Sequence, residues 1–188
     1  NDGTITLNSA SDDFSSIIIT GSVSGNITYN RWINSISSAS PTSSDPGWDL
    51  VGSSVVGASL TSSNFSQNGS NYAIQPYDNS DNTWTATSSA TVSTSLGTGY
   101  AMAKATAGTE AFTGTIETSD KDVAITNNSS GSGTQWNLVA NPYPSYLALN
   151  NAATTASSAT TNFITQNASQ LGSGTNEDAL WYWKGFEY

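Results

Sequence analysis

Apolar and polar residues alternate along most of the chain, in short runs separated by Gly, Asn and Ser. Ile5 and Leu7 alternate in TITLNSA, and Ile27, Tyr29 and Arg31 alternate in GNITYNRWI. β-Branched and aromatic residues at a period of two, bounded by turn-forming residues, predict short half-buried strands. Only residues 144–160 suit one or two helical turns. The pattern therefore predicts an all-β fold of antiparallel β-sandwich-like units.

Turn-forming residues between the runs predict three hairpins. SGN (residues 24–26) would join a strand around residues 17–19 to the strand that starts at Ile27. DNSDN (78–82) would join NYAIQPYD to NTWTATSS, and AGT (107–109) would join GYAMAK to AFTGTI. WDLVGSSVV (48–56) and KDVAITN (121–127) are predicted as further strands.

The chain also contains an internal sequence repeat. GWDLVGSSVVGASL (residues 47–60) aligns with QWNLVANPYPSYLAL (135–149), and NFSQNGS (64–70) aligns with NFITQNAS (162–169). Two copies of one block indicate a duplicated structural unit. We predict an N-terminal strand segment at residues 1–20, a first β unit at 21–118 and a second at 123–188. By analogy with Trp48, Leu50 and Val51, the core of the second unit would contain Trp136, Leu138 and Val139.

The second copy stops at Tyr188, before any counterpart of the residues that follow Trp84 in the first copy. We therefore expect an incomplete second unit and a chain that is a fragment of a longer protein. An incomplete unit would leave a sheet edge unpaired. Either a partner strand from elsewhere or the N-terminal strand, around Ile5 and residues 17–19, would then complete the second unit.

The amino-acid composition excludes several classes of catalytic site, metal site and partner. The chain has no Cys and no His, which excludes thiol catalysis, disulfides, Ser-His-Asp triads and imidazole-bound metals. The four cationic residues are scattered and the formal net charge is −10, so nucleic acid is not an expected partner. No apolar run is long enough for a transmembrane segment. Only 10% of residues are charged, against about 25% in an average domain. Ser, Thr, Asn and Gly replace the charges, which is typical of bacterial extracellular β proteins.

Four blocks together carry a family resemblance: GNITYNRWI, GWDLVGSSVVGASL, GTGYAMAK followed by AFTGTI, and WNLVANPYPSYLALN. They resemble the β-rich regions near the C-termini of large secreted or cell-surface bacterial proteins exported by the type IX secretion system. Gly97, Gly99 and Tyr100 match the G-x-G-(F/Y) strand of that family. The resemblance implies export and partners among other domains of the same protein or the outer-membrane secretion and attachment machinery. The first copy departs from the pattern, with Ser53-Ser54-Val55 in place of Asn-Pro-Tyr-Pro.

Aromatic residues form one candidate site. Trp181 and Trp183 would share one face of a strand. Trp84, which the repeat aligns with Tyr188, is a third candidate from the first copy. Exposed rings of this kind stack on sugars, which predicts a carbohydrate site. The alternative is that these side chains fill the core, which a small domain needs.

Acidic residues form a second candidate. Asp78 and Asp81 lie in the YDNSDN loop, where oxygen ligands are dense enough to suggest Ca²⁺. The spacing is not that of an EF-hand, and the alternative is a hairpin loop of turn-forming residues. Four glutamates, Glu110, Glu117, Glu177 and Glu187, leave room for a two-carboxylate glycosidase, although none lies in a recognisable motif.

The leading hypothesis is thus a non-catalytic structural or adhesin-type module outside the cell or at its surface. The first alternative is a carbohydrate-binding module that uses Trp181, Trp183 and Trp84, with polysaccharide as its partner. The second is a fragment of a polysaccharide-acting enzyme. No cofactor is expected other than Ca²⁺.

Overall fold

The computed structural model describes residues 4–36, 47–128, 130–149, 162–171 and 180. Nearly all their regular elements are strands, which confirms the all-β prediction. The strands are β1 (Ile5–Leu7), β2 (Asn26–Ile33), β3 (Asp49–Gly52), β4 (Ser59–Thr61), β5 (Gln67–Asn68), β6 (Asn71–Tyr72), β7 (Ile74–Asp78), β8 (Thr83–Trp84), β9 (Thr91–Ser93), β10 (Gly99–Met102) and β11 (Gly108–Thr115). A 3-10 turn (Ser62–Asn64) and one helix, α1 (Phe163–Asn167), complete the set. Within this part of the chain, no helix is long and apolar enough to cross a membrane.

The chain divides into two compact units, Asn1–Pro144 and Ser145–Tyr188. Among the described residues, the strands all lie in the first unit, and α1 lies in the second. The division falls inside the NPYPS block, whereas the repeat places it near residues 119–122. The repeat-based boundaries describe a sequence duplication and stay a prediction.

One sheet of the first unit has the order β1-β2-β11. β2 pairs antiparallel with β11 over eight residues, and β1 adds in parallel on the other edge. Beyond β1 the same edge of β2 is closed by side chains. The hydroxyl of Ser9 accepts the N–H of Trp32 at 3.0 Å, and the amide of Asn30 donates to Asn8 at 3.2 Å. Side-chain partners therefore protect a strand edge that would otherwise be open to pairing.

The second sheet has the order β3-β10-β7-β8, with every pair antiparallel. Two small ladders, β4–β9 and β5–β6, are formed by residues that lie between β3 and β10 in the sequence. Residues from both large sheets form one hydrophobic cluster, whose fully buried members include Ile33, Phe112, Ile74 and Met102. A shared core of this kind makes the two sheets of the first unit one packed body.

The hairpin predicted at residues 78–82 is confirmed, because β7 and β8 pair with Tyr77 opposite Trp84. The other two hairpin predictions are wrong. Residues 17–19 form no strand, and Ile18 is 81% exposed. β1 and β11 already occupy both edges of β2, so no edge is left for that segment. The hairpin predicted at residues 107–109 fails for the same reason. Both edges of β10 are paired, with β3 and β7, so β11 cannot pair with it.

The aligned repeat blocks adopt different structures. Trp48 and Val51 are buried, whereas Trp136 is 59% exposed and Val139 is 37% exposed. The prediction that Trp136 and Val139 lie in a core is therefore wrong, and Leu138 is half-buried. Residues 64–68 end a 3-10 turn and begin β5, while residues 162–167 cap and form α1. The residues that the structure describes thus do not reproduce the sequence repeat as two like units.

The N-terminal segment contacts both the first sheet and the second repeat block. β1, with Ile5, pairs with β2, whereas the N–H of Ile17 donates to the backbone oxygen of Pro144 in the second repeat block at 2.7 Å. The completion of the second repeat by the N-terminal segment stays a prediction. KDVAITN (121–127) forms no strand. Its contacts with the β7–β8 loop, described below, are made by side chains.

We predict that Gly114→Ala in β11 lowers the free energy of unfolding by about 1–3 kcal/mol, as overpacking does. A Cβ at Gly114 would lie 2.0 Å from the backbone oxygen of Val56, which is hydrogen bonded to Thr115. Backbone has little freedom to move aside. Urea unfolding followed by tryptophan fluorescence measures the effect.

Gly108→Ala is the matched control in the same strand, because a Cβ there meets no atom within 4 Å. We expect it to be neutral or to stabilise by up to about 1 kcal/mol through the unfolded chain. Equal losses for both variants would contradict this account of Gly114.

Candidate functional site

Of the three predicted sugar-binding residues, Trp181 and Trp183 lie outside the described residues. Trp84 lies in β8, where it is half-buried and packs against the core. Its ring is 5.1 Å from the ring of Tyr77, centroid to centroid, at an interplanar angle of 52°. The hydroxyl of Tyr77 donates to Asn82 at 2.8 Å. Trp84 is therefore half of a cross-strand aromatic pair, an arrangement that stabilises hairpins.

We predict that Trp84→Ala lowers the free energy of unfolding by about 2 kcal/mol, since a half-buried ring and its aromatic partner are lost together. Trp84→Phe keeps an aromatic ring opposite Tyr77 and should recover most of the loss. Chemical denaturation of the three proteins gives the values. A glycan-binding loss in Trp84→Ala without any loss of stability would contradict a packing role.

The two predicted calcium ligands lie in the loop between β7 and β8. The Oδ1 atom of Asp78 accepts hydrogen bonds from the backbone and the hydroxyl of Ser80, at 2.9 and 2.7 Å. These bonds lower the pKa of Asp78 from its usual value. Asp81 accepts the hydroxyl of Thr83. Both carboxylates thus act as local turn acceptors, as Asp does in tight turns.

Within the described ranges, no three or more Asp, Glu, His or Cys side chains come together in a way that could hold a metal. Two carboxylates alone fall short of the six to eight oxygens that Ca²⁺ takes. The calcium site stays a prediction that would need ligands besides Asp78 and Asp81.

A network of uncharged side chains joins the same loop to the residues that follow β11. The amide nitrogen of Asn79 donates to the backbone oxygen and the hydroxyl of Thr126, at 3.0 and 2.9 Å. Its amide oxygen accepts from Asn128 at 2.7 Å, and its backbone oxygen accepts the N–H of Thr134. Asn137 closes the network by accepting the backbone N–H of Thr126 at 3.0 Å. Asn79 therefore holds residues 126–137 against the second sheet.

The G-x-G motif (Gly97 and Gly99) and the second W-x-L-V motif (residues 136–139) contact each other in the first unit. Thr98 bridges Val139, and the N–H of Gly99 donates to Leu138 at 3.2 Å. A Cβ at Gly99 would lie 2.5 Å from Leu138. Gly97 has a φ of +80° and packs against Val123. The two glycines thus allow a close approach of backbone and side chains that a larger residue would block.

A second polar cluster of the first unit consists of Lys104, Glu110 and Asn64. Glu110 lies in β11, on the buried face that also carries Phe112. Lys104 follows β10, with its N–H donating to Asn34 at 2.8 Å. Asn64 is exposed and ends the 3-10 turn. Three separate elements therefore bring these side chains together.

The Nζ atom of Lys104 lies 2.7 Å from Oε2 of Glu110 and donates to the backbone oxygen of Thr109 at 3.0 Å. The amide of Asn64 donates to both carboxylate oxygens, at 3.0 and 3.3 Å. The ammonium also lies 5.8 Å from the centre of the Phe65 ring. Only 13% of the lysine side chain and 6% of the glutamate side chain are exposed. Burial of two charges is costly, and these additional bonds offset part of that cost.

Sequence reasoning missed this cluster. It considered Glu110 only as a catalytic carboxylate and did not connect it with Lys104 or Asn64. One signal was present, since Glu110, Phe112 and Gly114 alternate with exposed residues and so place a carboxylate on the inner face of a strand. The partners of that carboxylate could not be inferred, because they follow from the pairing of β11 with β2 and of β10 with β3.

The glycosidase hypothesis considered Glu110 and Glu117, whose surroundings the structure shows. Glu110 is engaged by Lys104 and Asn64. Glu117 accepts hydrogen bonds from the hydroxyl and backbone of Ser119 and from the backbone of Thr118, which lower its pKa. A lowered pKa favours the ionised form, the opposite of what a general acid needs.

Comparisons with known proteins yield no matching family model, no matching curated protein and no matching solved structure.

Proposed function

We propose that the chain is a non-catalytic structural or adhesin-type module of a larger bacterial protein, located outside the cell or on its surface. The resemblance of its blocks to proteins of the type IX secretion route supports this assignment. So does a composition low in charge and rich in Ser, Thr and Asn. Such a module would serve as a stalk or spacer whose partners are other domains of the same protein.

The observation that carries the proposal is the network around Asn79. It joins a segment without regular structure to the β7–β8 loop through hydrogen bonds among amides, hydroxyls and backbone groups. Amides and aliphatic hydroxyls do not titrate in the range of natural waters and tissue fluids. Hydrogen bonds between neutral groups are also less sensitive to salt than ion pairs are. This kind of attachment suits a part that has to stay folded in an uncontrolled external medium.

We predict that Asn79→Ala lowers the free energy of unfolding by about 1–2 kcal/mol, because several modest hydrogen bonds are lost in a partly exposed site. The loss should be the same at about 0.1 M and about 1 M salt, although the Debye length falls from about 10 Å to about 3 Å. Hydrogen exchange should rise locally at residues 126–137. Comparing each variant with the wild type at each salt concentration cancels the effect of the overall negative charge.

Asn71→Ala is the control, since Asn71 is an exposed asparagine in the β5–β6 hairpin. We expect its effect to stay within about 0.5 kcal/mol, as for most surface changes. A loss in Asn79→Ala that shrinks strongly with salt would contradict attachment by neutral groups.

Location is tested separately, on cells of the source organism. Antibodies raised against the folded chain should label intact, unpermeabilised cells or detect the protein in the medium. Labelling that requires permeabilisation would overturn the proposed location, and a periplasmic and a cytoplasmic marker would serve as controls for cell integrity.

A further inference from the structure

We propose that Lys104 and Asn64 react to form an amide bond between their side chains, with Glu110 as the catalytic proton carrier. The proposal goes beyond the proposed function, because it assigns a chemical reaction within the folded chain. It rests on the arrangement of the three side chains described above.

The carboxylate of Glu110 holds both reacting groups. Its Oε2 atom accepts from Nζ of Lys104 at 2.7 Å and from the Asn64 amide nitrogen at 3.3 Å. Two nitrogens that share one acceptor oxygen are at most two hydrogen-bond lengths apart. The amine nucleophile therefore lies within about 6 Å of the amide nitrogen that would leave, a separation that side-chain rotation about the shared carboxylate can close. Proximity of this kind replaces a bimolecular encounter with a reaction inside one molecule, which accelerates amide chemistry strongly.

The reaction balances without a further reactant. A proton passes from the ammonium of Lys104 to Glu110 along their hydrogen bond, which leaves a neutral amine and a neutral acid. The lone pair of Nζ attacks Cγ of Asn64 and forms the new C–N bond. The C–Nδ2 bond then breaks, and Glu110 supplies a proton to the departing nitrogen, which leaves as ammonia. Glu110 then takes the second proton that Nζ has to lose, so Nζ keeps one hydrogen, Glu110 ends as a neutral acid, and nothing is oxidised or reduced.

The surroundings favour each step. Burial of the lysine and glutamate side chains limits the access of water to the pair, and their hydrogen bond gives the proton a direct path. The backbone of Lys104 is held at two points. Its N–H donates to the backbone oxygen of Asn34 at 2.8 Å, and its carbonyl accepts the N–H of Ile36 at 2.9 Å. Asn64 faces solvent, which gives ammonia a way out.

The new bond would close a covalent loop over residues 64–104, which contain β7, β8 and the whole of β10. It would also join the 3-10 turn to the end of the central strand of the second sheet. A cross-link between distant residues stabilises a fold mainly by restricting the unfolded chain. A permanent tie of this kind suits a chain that has no cysteine and so no disulfide.

Mass spectrometry of the purified, folded chain tests the proposal. The intact mass should be lower than the sequence mass by one ammonia. Trypsin should fail to cut after Lys104, so that residues 32–121 stay in one peptide. Chymotrypsin, which cuts after Phe65, Tyr100 and Phe112, should release a branched peptide in which Asn64 and Lys104 are joined. The branched peptide separates this reaction from ammonia loss at Asn68-Gly69, where a backbone succinimide forms without any cross-link.

Three variants assign the roles. Glu110→Gln cannot accept the proton, and Lys104→Arg keeps the positive charge but lacks the amine nucleophile. Both should show the full sequence mass and no branched peptide. Lys121→Arg changes an exposed lysine and should keep the cross-link.

A wild-type chain with the full mass and normal cleavage after Lys104 would overturn the proposal. So would a branched peptide that persists in Glu110→Gln. The mass of the folded wild type shows whether the amide forms at all, even where a variant folds poorly.

Discussion

The structure of the first unit depends on strand β10. All four of its residues are buried, and its two edges are hydrogen bonded to β3 and β7. A central strand with no free edge cannot also form a hairpin with its neighbour in sequence. The chain therefore leaves β10 through Lys104 and returns as β11 in the other sheet. That crossing brings the amine of Lys104 to the inner face of β11, where Glu110 lies.

The start of β10 is where the G-x-G motif contacts the second W-x-L-V motif. Gly97 and Gly99 lie where the strand begins, and the block around Leu138 pairs with them. The G-x-G and W-x-L-V motifs are thus two sides of one contact within the first unit. Trp136, at the start of this segment, is 59% exposed.

Sequence reasoning succeeded where the determinants are local. Strand-forming periodicity and a loop of Asp and Asn residues were sufficient for the all-β class and for the hairpin of Tyr77 and Trp84. It failed where competition for strand edges decides the outcome, as at residues 17–19. Similar sequence also proved a weak guide to similar structure, since Phe65 is buried after a 3-10 turn and Phe163 starts a helix. The surroundings of each copy, which the sequence alignment does not contain, select its conformation.

The use of charge links the fold to the proposed reaction. Asp49 illustrates the cost of burying a carboxylate that has no direct ion-pair partner among the described residues. Burial raises its pKa, against the opposing effects of hydrogen bonds from Asn34 and the charge of Arg31. A raised pKa means that the ionised form works against folding above that pKa, and that this opposition fades as the pH falls through it.

Glu110 is buried on the inner face of β11, where its carboxylate is paired with Lys104. An ion pair at that place is an expensive way to fill an inner position, and well-packed apolar residues often do as well or better. The amide proposed for Lys104 and Asn64 removes the lysine charge and replaces a reversible contact with a covalent one. The proposed reaction would thus give the buried pair a role that stability alone does not.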